Sequence, residues 1–129
     1  MWRVVLLTAL VSAGSGWAGP SDAILGLWRT GPDSKGQVAH VKVQECDRRI
    51  CGRIVAAFSA EGEPVTSPNE GKLVFWNMSR TAPSRYSGRA WVPAHDRVYD
   101  AGARIAGDRM KVFGCLGPFC RSQVWTRVE

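Results

Sequence analysis

The chain has 129 residues, 45% of them hydrophobic, and a formal net charge of +6. This length predicts a single domain, and no internal repeat or linker indicates a second one. The 17 Lys and Arg against 11 Asp and Glu would attract anionic partners, although the arginines are scattered along the chain.

The first 18 residues have the features of a secretory signal peptide. Arg3 supplies the positive charge, residues 4–13 form the apolar run, and small residues precede a cleavage point after Ala18. The run is shorter than the roughly 20 residues that a membrane-spanning helix needs. We therefore predict an exported, soluble periplasmic protein, with residues 19–129 as its single domain and no transmembrane segment after cleavage.

The four cysteines stand in two Cys-x4-Cys segments. In an exported protein they indicate disulfides, but four cysteines allow three pairings and spacing does not select one. Strand phase places Cys46 and Cys51 on the same outer face across a four-residue hairpin loop, which predicts the Cys46–Cys51 bond and, by analogy, Cys115–Cys120. A zinc site is the alternative, disfavoured because tight Cys-x2-Cys spacing is missing.

Apolar and polar residues alternate through much of the chain, as in half-buried strands. Ala39, Val41 and Val43 share one face of the first hairpin. On the returning strand the inward face is predicted to comprise Ile50, Gly52, Ile54, Ala56 and Phe58. Further strands are predicted at residues 72–76 and 88–92, in a hairpin between 97 and 115, and in a final strand at 121–128.

Polar stretches at residues 59–72 and 77–88 are predicted to be loops. No part of the chain after the leader has the apolar stripe of an amphipathic helix. Strands at intervals of about 8–12 residues, separated by turn residues, indicate an all-β sandwich or barrel.

A tryptophan motif lies near each end of the predicted domain. Gly26-x-Trp28 opens it, and Gln123-x-Trp125-x-Arg127 closes it. If the first and last strands are neighbours, Arg127 can lie over the Trp28 indole in a cation–π contact. This pattern resembles the calycin superfamily, which includes the lipocalin and avidin-like barrels, and we expect these five residues to form a structural clasp.

A more extensive resemblance is to the exported bacterial family DUF2147. It rests on Gly-x-Trp, on the CxxxxCGRIV segment, on the MKVxGC strand and on the terminal QxWTR. The matching residues are Gly26, Trp28, Thr30, Cys46, Cys51, Gly52, Arg53, Ile54, Val55, Tyr99, Met110, Lys111, Val112, Gly114, Cys115, Gln123, Trp125, Thr126 and Arg127. The middle departs from the family pattern at SPNEG and at VPAHDRVYDAG. The resemblance implies a small antiparallel up-and-down, lipocalin-like β-barrel in the periplasm and supplies no activity.

Residues suited to catalysis are few. His40 falls on the outward phase of its strand, where we expect an exposed surface histidine. His95 lies close in sequence to Asp96, Tyr99 and Asp100 and is a candidate for acid–base chemistry, but neighbouring positions do not establish the required geometry. We expect a non-catalytic protein with no cofactor and no metal.

Four aromatic residues are predicted to contact a ligand at the barrel mouth: Phe75, Trp76, Tyr86 and Trp91. The favoured hypothesis is therefore a barrel that binds a small apolar or amphipathic ligand. The alternative is a filled barrel that binds an anionic polymer or a protein partner of the cell envelope through its basic surface. Export argues against a nucleic-acid target.

Overall fold

The computed structural model describes residues 22–129, and nine β-strands run through them. The predicted signal peptide and its cleavage after Ala18 lie outside the described residues. The strands are β1 (Gly26–Arg29), β2 (Val38–Cys46), β3 (Arg49–Phe58), β4 (Pro64–Val65), β5 (Leu73–Ala82), β6 (Arg85–Val92), β7 (Arg97–Ala106), β8 (Arg109–Leu116) and β9 (Phe119–Arg127). In this part of the chain, no helix is long and apolar enough to cross a membrane.

Eight of the strands close into an antiparallel ring. Each pairs with the next along the chain, except that β3 pairs with β5 while the two-residue β4 is added beside β3. The ring closes where β1 pairs with β9. The predicted up-and-down barrel is thus confirmed, and closure leaves its long strands without a free edge.

The connections divide into two ends of the barrel. We call one the closed end, because residues 22–25 pack across it beside the β2–β3, β5–β6 and β7–β8 turns. The other, the open end, carries the β1–β2 loop, the β3–β5 connection and the β6–β7 and β8–β9 turns.

Inward-facing side chains from the strands form one core. The alternation predicted on β2 is confirmed at Val41 and Val43, which are both buried. The core comprises Ile24, Trp28, Val41, Val43, Ile50, Ile54, Val74, Phe75, Met78, Tyr86, Ala90, Ala101, Ala103, Ile105, Met110 and Trp125.

A register shift corrects the predicted face of β3. Ile54 lies opposite Val41, whereas Ala56 rather than Val55 lies opposite His40. Because one extra residue reverses the alternation, Ala57 becomes buried in place of Ala56. Phe58 joins the outer surface, where its ring lies 4.6 Å from that of His40.

The prediction of a loop at residues 77–88 is wrong, because most of these residues belong to β5 and β6. Asn77 has a φ of 53° within an irregular stretch of β5, after which Met78 is buried and the strand continues to Ala82. The residues between these strands are Pro83 and Ser84. Residues 59–72 do form a connection, interrupted by β4.

Both predicted disulfides are present, one at each end of the barrel. The first hairpin turns through Asp47 and Arg48, both with positive φ, so its loop has two residues rather than four. The Cys46–Cys51 bond therefore runs diagonally between the strands, and Cys51 is buried instead of exposed. Cys115 lies directly opposite Cys120, with their Cα atoms 4.1 Å apart.

Candidate functional site

The two tryptophan motifs meet at the closed end. The guanidinium of Arg127 lies 4.2 Å from the centre of the Trp28 ring, in the arrangement expected from the sequence. Its Nη1 donates a hydrogen bond to the Leu25 carbonyl at 2.9 Å, and its Nη2 donates to the Ala23 carbonyl. Trp28 Nε1 donates to the carbonyl of Ile24 at 2.8 Å. Arg127 and Trp28 together hold the segment that covers this end.

Gly26 is required for this contact. Its φ is 131°, a conformation that side chains rarely adopt. A Cβ atom at this position would lie 2.8 Å from Arg127 Nη1 and 2.7 Å from the Glu129 carbonyl oxygen. The glycine of Gly-x-Trp therefore leaves the space through which the arginine passes.

Residues 22–25, which we call the plug, are anchored a second time. Tyr86 donates its hydroxyl hydrogen to Asp22 Oδ1 at 3.1 Å, and Arg80 Nε lies 3.8 Å from the same carboxylate. Burial raises the pKa of Tyr86 above its ordinary value of 10.0, and the hydrogen bond to Asp22 acts in the same direction. Ile24 is fully buried beneath. These contacts make the closed end a structural seal.

The interior becomes steadily more exposed toward the open end. Along the inward phase of β8, Met110 is fully buried, Val112 is partly buried and Leu116 is 52% exposed. Along β9, exposure rises from 6% at Trp125 to 79% at Phe119. We call the more exposed interior at this end the cup; Gly31 of the β1–β2 loop packs against the Gln123 side chain at its rim.

Aromatic and polar groups line this cup. The rings of Phe75 and Trp125 lie 5.9 Å apart and form its floor. Tyr99, Val112 and Gln123 follow on the inward phases of their strands and form the wall. Trp125 Nε1 donates to Gln123 Oε1 at 2.7 Å, so Gln123 and Trp125 contact each other and belong to the cup, whereas they were predicted to join the clasp.

The four aromatics predicted at the mouth are not brought together. Phe75 is in the cup floor, while Tyr86 is at the closed end with the plug. Trp76 lies opposite Arg89 on the outer surface, and Trp91 is also on the outward phase of β6. The reason is the two-residue period, since an aromatic beside an inward position must point away from the interior.

Trp91 is held on the outside by polar neighbours. Its Nε1 donates to Asp96 Oδ1 at 2.9 Å, and Lys72 Nζ lies 5.3 Å from the ring centre. His95, in the exposed β6–β7 turn, has its Nδ1 3.0 Å from the hydroxyl of Tyr99, which is partly buried on β7. Asp96 thus binds the indole and does not orient the histidine, contrary to what a catalytic pair would require.

His40 is partly buried, which differs from the exposed position predicted for it. Burial lowers its pKa below the ordinary 6.5, and the nearby charge of Arg29 adds to this effect. Residues 22–129 contain no group of three His, Cys, Asp or Glu placed to hold a metal ion.

A basic groove of about 290 Å³ lies on the outer wall formed by β7, β8 and β9. It was not predicted, because it combines residues far apart in sequence whose proximity depends on strand register. Its lining consists of Arg104, Lys111, Phe113, Cys120, Arg121 and Ser122. Within residues 22–129, its three cations have no carboxylate partner within 4.0 Å.

A glycine shapes one side of the basic groove. Gly102 lies opposite Phe113, and the Phe113 ring occupies the position that a Cβ atom at Gly102 would need. The aromatic ring therefore lies against bare backbone. This packing gives the groove an apolar surface beside Arg104 and Lys111, which lie opposite each other two residues farther along the same strands.

Comparison with solved structures agrees with this architecture. Protein HP1028 from the human pathogen Helicobacter pylori, described as belonging to the lipocalin family, superimposes with a TM-score of 0.65 at 11% sequence identity. The alignment covers 81% of this chain and 82% of that one, and it establishes a shared fold. No curated protein matches the sequence significantly. A family model described as an uncharacterized protein conserved in bacteria matches residues 26–127, and the chain accordingly belongs to the DUF2147 family.

Proposed function

We propose that the protein is an exported, non-catalytic periplasmic barrel that binds a small amphipathic ligand in the cup. The observation that carries this proposal is the contrast between the two ends. The closed end is sealed by the plug, while the inward positions of β8 and β9 become accessible at the other end. The lipocalin-like fold and the signal-like residues 1–18 support the proposal.

The lining favours an amphipathic ligand over a purely apolar one. Trp125, which is 6% exposed, and the partly buried Tyr99 and Val112 offer surface for an apolar group above the packed Phe75 ring. The amide of Gln123 and the hydroxyl of Tyr99 offer hydrogen bonds near the rim, where a polar group of the ligand would remain partly hydrated. An eight-stranded barrel has room for about one small ligand, and here the core side chains already fill the half of the barrel next to the closed end.

Filling the cup from one wall tests this proposal. Val112→Trp would place an indole over the floor, whereas Val124→Trp adds the same ring on the outer face of β9, where Val124 is 50% exposed. The probe is N-phenylnaphthylamine, an uncharged fluorophore that the basic groove does not attract. We expect its affinity to fall at least about tenfold in Val112→Trp, corresponding to roughly 1.4 kcal/mol, and to be unchanged in Val124→Trp. Equal binding by both folded variants would refute the cup as the site.

A second function is supported by the basic groove, namely binding of an anionic component of the cell envelope. Arg104 and Lys111 lie side by side on the outer face without a carboxylate partner within 4.0 Å among residues 22–129. They would attract such a partner, and the attraction would weaken as salt screens it. Dextran sulfate is a simple polyanionic probe. We expect it to bind at low salt and to dissociate at moderate salt, and salt-independent binding would contradict this function.

A further inference from the structure

We infer that the outer wall of β6–β9 binds a phosphorylated sugar, with the phosphate on a row of cations and the sugar ring on Phe113. This inference rests on the second proposed function and narrows its partner from any polyanion to a phosphate monoester carried by a sugar. It depends on three features of the outward phase of these strands: a row of cations, an accessible aromatic ring, and a hydroxyl group on each side of that ring.

The cations form a row across three neighbouring strands, which we call the cation row. Strand pairing sets Arg85 opposite Arg104 and Arg104 opposite Lys111, and all three side chains are exposed on the outer face. Neighbouring strands lie about 4.8 Å apart, so three positive charges start within about 10 Å of each other. Like charges directly opposite each other on a sheet are destabilising. A bound anion would remove this repulsion.

Acidic residues do not relieve the repulsion in the part of the chain that the structure describes. No carboxylate lies within 4.0 Å of the cation row. On the same face, Asp100 is four residues from Arg104, about 13 Å along the strand, and it already forms an ion pair with Arg89. The cation row is therefore available to an anion from outside the chain.

An aromatic ring lies beside the cation row on the same face. Phe113 is partly exposed, and its ring lies across Gly102, which is buried beneath it. Ser87 lies opposite Gly102 on β6. Ser122 lies opposite Phe113 on β9, so that an exposed hydroxyl stands on each side of the ring. Two grooves of about 220 and 290 Å³ meet here, since Arg104 and Phe113 line both.

The combination favours a phosphorylated sugar over a simple anion. A phosphate monoester carries a charge of about −1.5 to −2 at pH 7 and three acceptor oxygens, so it can bind several cations at once. A sugar ring presents an apolar C–H face that can cover Phe113 and hydroxyls that can hydrogen-bond to Ser87 and Ser122. Inorganic phosphate would occupy the cation row but would leave the aromatic ring in water.

The cation row is tested by titrating the isotope-labelled mature chain with glucose 6-phosphate at low salt while its amide NMR signals are followed. We expect the amides of β6–β9 to shift. The affinity should fall on the order of a hundredfold in Arg85→Gln/Arg104→Gln/Lys111→Gln, because charge-assisted hydrogen bonds are lost. The matched control makes the same change in charge at three exposed cations of the β2–β3 hairpin, Lys42→Gln/Arg48→Gln/Arg49→Gln. It should bind nearly as the native protein, and equal losses in the two variants would overturn the cation row as the site.

A phosphorylated sugar can reach this wall as a free molecule or as part of a glycan. Maltotriose phosphorylated on one terminal glucose carries the same group on a short glycan. Equal affinity for this probe and for glucose 6-phosphate would identify a free sugar phosphate as the source. Tighter binding of the longer probe would identify a phosphorylated glycan, and either result supports recognition of the shared phosphosugar.

The aromatic ring separates phosphosugar recognition from general anion binding. Phe113→Leu keeps apolar cover over Gly102 and should weaken binding of glucose 6-phosphate about fivefold, with binding of inorganic phosphate unchanged. Phe58→Leu changes another aromatic residue of the outer surface and should behave as the native protein. If the native protein binds glucose 6-phosphate no more tightly than inorganic phosphate, the phosphosugar inference fails while polyanion binding stands. If neither glucose 6-phosphate nor dextran sulfate binds, the second proposed function fails as well.

Discussion

Arg127 performs several roles that no other side chain could combine. It covers the Trp28 ring and donates to the carbonyls of Ala23 and Leu25. A lysine would retain the charge but lacks the planar fork that reaches two acceptors while stacking on a ring. At the residue scale, the clasp therefore depends on the planar geometry of the guanidinium more than on its charge.

We expect Trp28→Ala to lower the free energy of unfolding by about 3–5 kcal/mol, because it removes a fully buried indole. Arg127→Ala should cost about 2–3 kcal/mol through the lost charge-assisted hydrogen bonds, and Arg127→Lys should fall between Arg127→Ala and the native protein. Urea denaturation measures all three variants. Unchanged stability in both alanine variants would show that the contact contributes nothing.

His40 should make stability depend on pH. Since burial lowers its pKa in the folded state, the unfolded chain binds a proton more readily. The contribution of His40 to the free energy of unfolding should therefore be constant above about pH 6.5. It should decrease as the pH falls from there toward the folded-state pKa. His40→Gln should reduce this decrease, as measured by denaturation across that range. An identical pH profile in the variant would exclude His40 as its source.

At the scale of the element, the two disulfides differ in what they hold. Each closes a loop with a sequence separation of 5, which corresponds to about 2 kcal/mol of loop entropy. Cys51 is buried, whereas Cys120 is exposed. The first bond should therefore contribute packing in addition to the covalent link.

We expect Cys46→Ala/Cys51→Ala to destabilise the barrel more than Cys115→Ala/Cys120→Ala, because only the first pair leaves a cavity in buried surface. The second pair of substitutions should instead loosen the β8–β9 turn, which the Cys115–Cys120 bond fixes. Thermal unfolding and hydrogen exchange at the turn measure the two effects separately. Greater destabilisation from the second pair would contradict this assignment.

Strand alternation could be predicted from sequence wherever register is regular, but not through the irregular stretches. Val41 and Val43 point inward as their period requires. Ala57 replaces Ala56 in the interior because an extra residue enters β3, and Asn77 interrupts β5 through a positive φ. Such shifts depend on which residues the partner strand offers, and hydrophobic period alone does not contain that information.

At the scale of the whole molecule, a contact could be predicted where its sequence motifs belong to strands that the barrel topology makes neighbours. The clasp could be predicted because Gly26-x-Trp28 and Arg127 belong to strands that any closed up-and-down barrel makes neighbours. The residues of the cup could be predicted only in part. Trp91 was expected at the mouth, but it is one residue away from an inward-facing position and therefore points outward. The basic groove required the register that sets Arg104 opposite Lys111, which no local pattern reveals.

Closure of the barrel depends on a short seam between β1 and β9. Trp28 lies opposite Arg127, and Arg29 lies opposite Thr126. Beyond these pairs, Leu27 N donates to the Glu129 carbonyl at 3.2 Å and Val128 N donates to the Leu27 carbonyl at 2.8 Å. The seam is therefore where we expect the closed ring to open first, since few backbone hydrogen bonds must break.

Deleting Val128 and Glu129 should remove these two backbone hydrogen bonds and a third, from Glu129 N to the Leu27 carbonyl at 3.3 Å, and should lower the free energy of unfolding by about 1–3 kcal/mol. Hydrogen exchange should accelerate at Leu27 well before it does at the amides between β7 and β8, because the opening is local to the seam. Val128→Ser is the matched control, since it changes a 41% exposed side chain and keeps the backbone. Slow exchange at Leu27 in the truncated protein would mean that the Trp28–Arg127 clasp closes the barrel without help from the backbone beyond it.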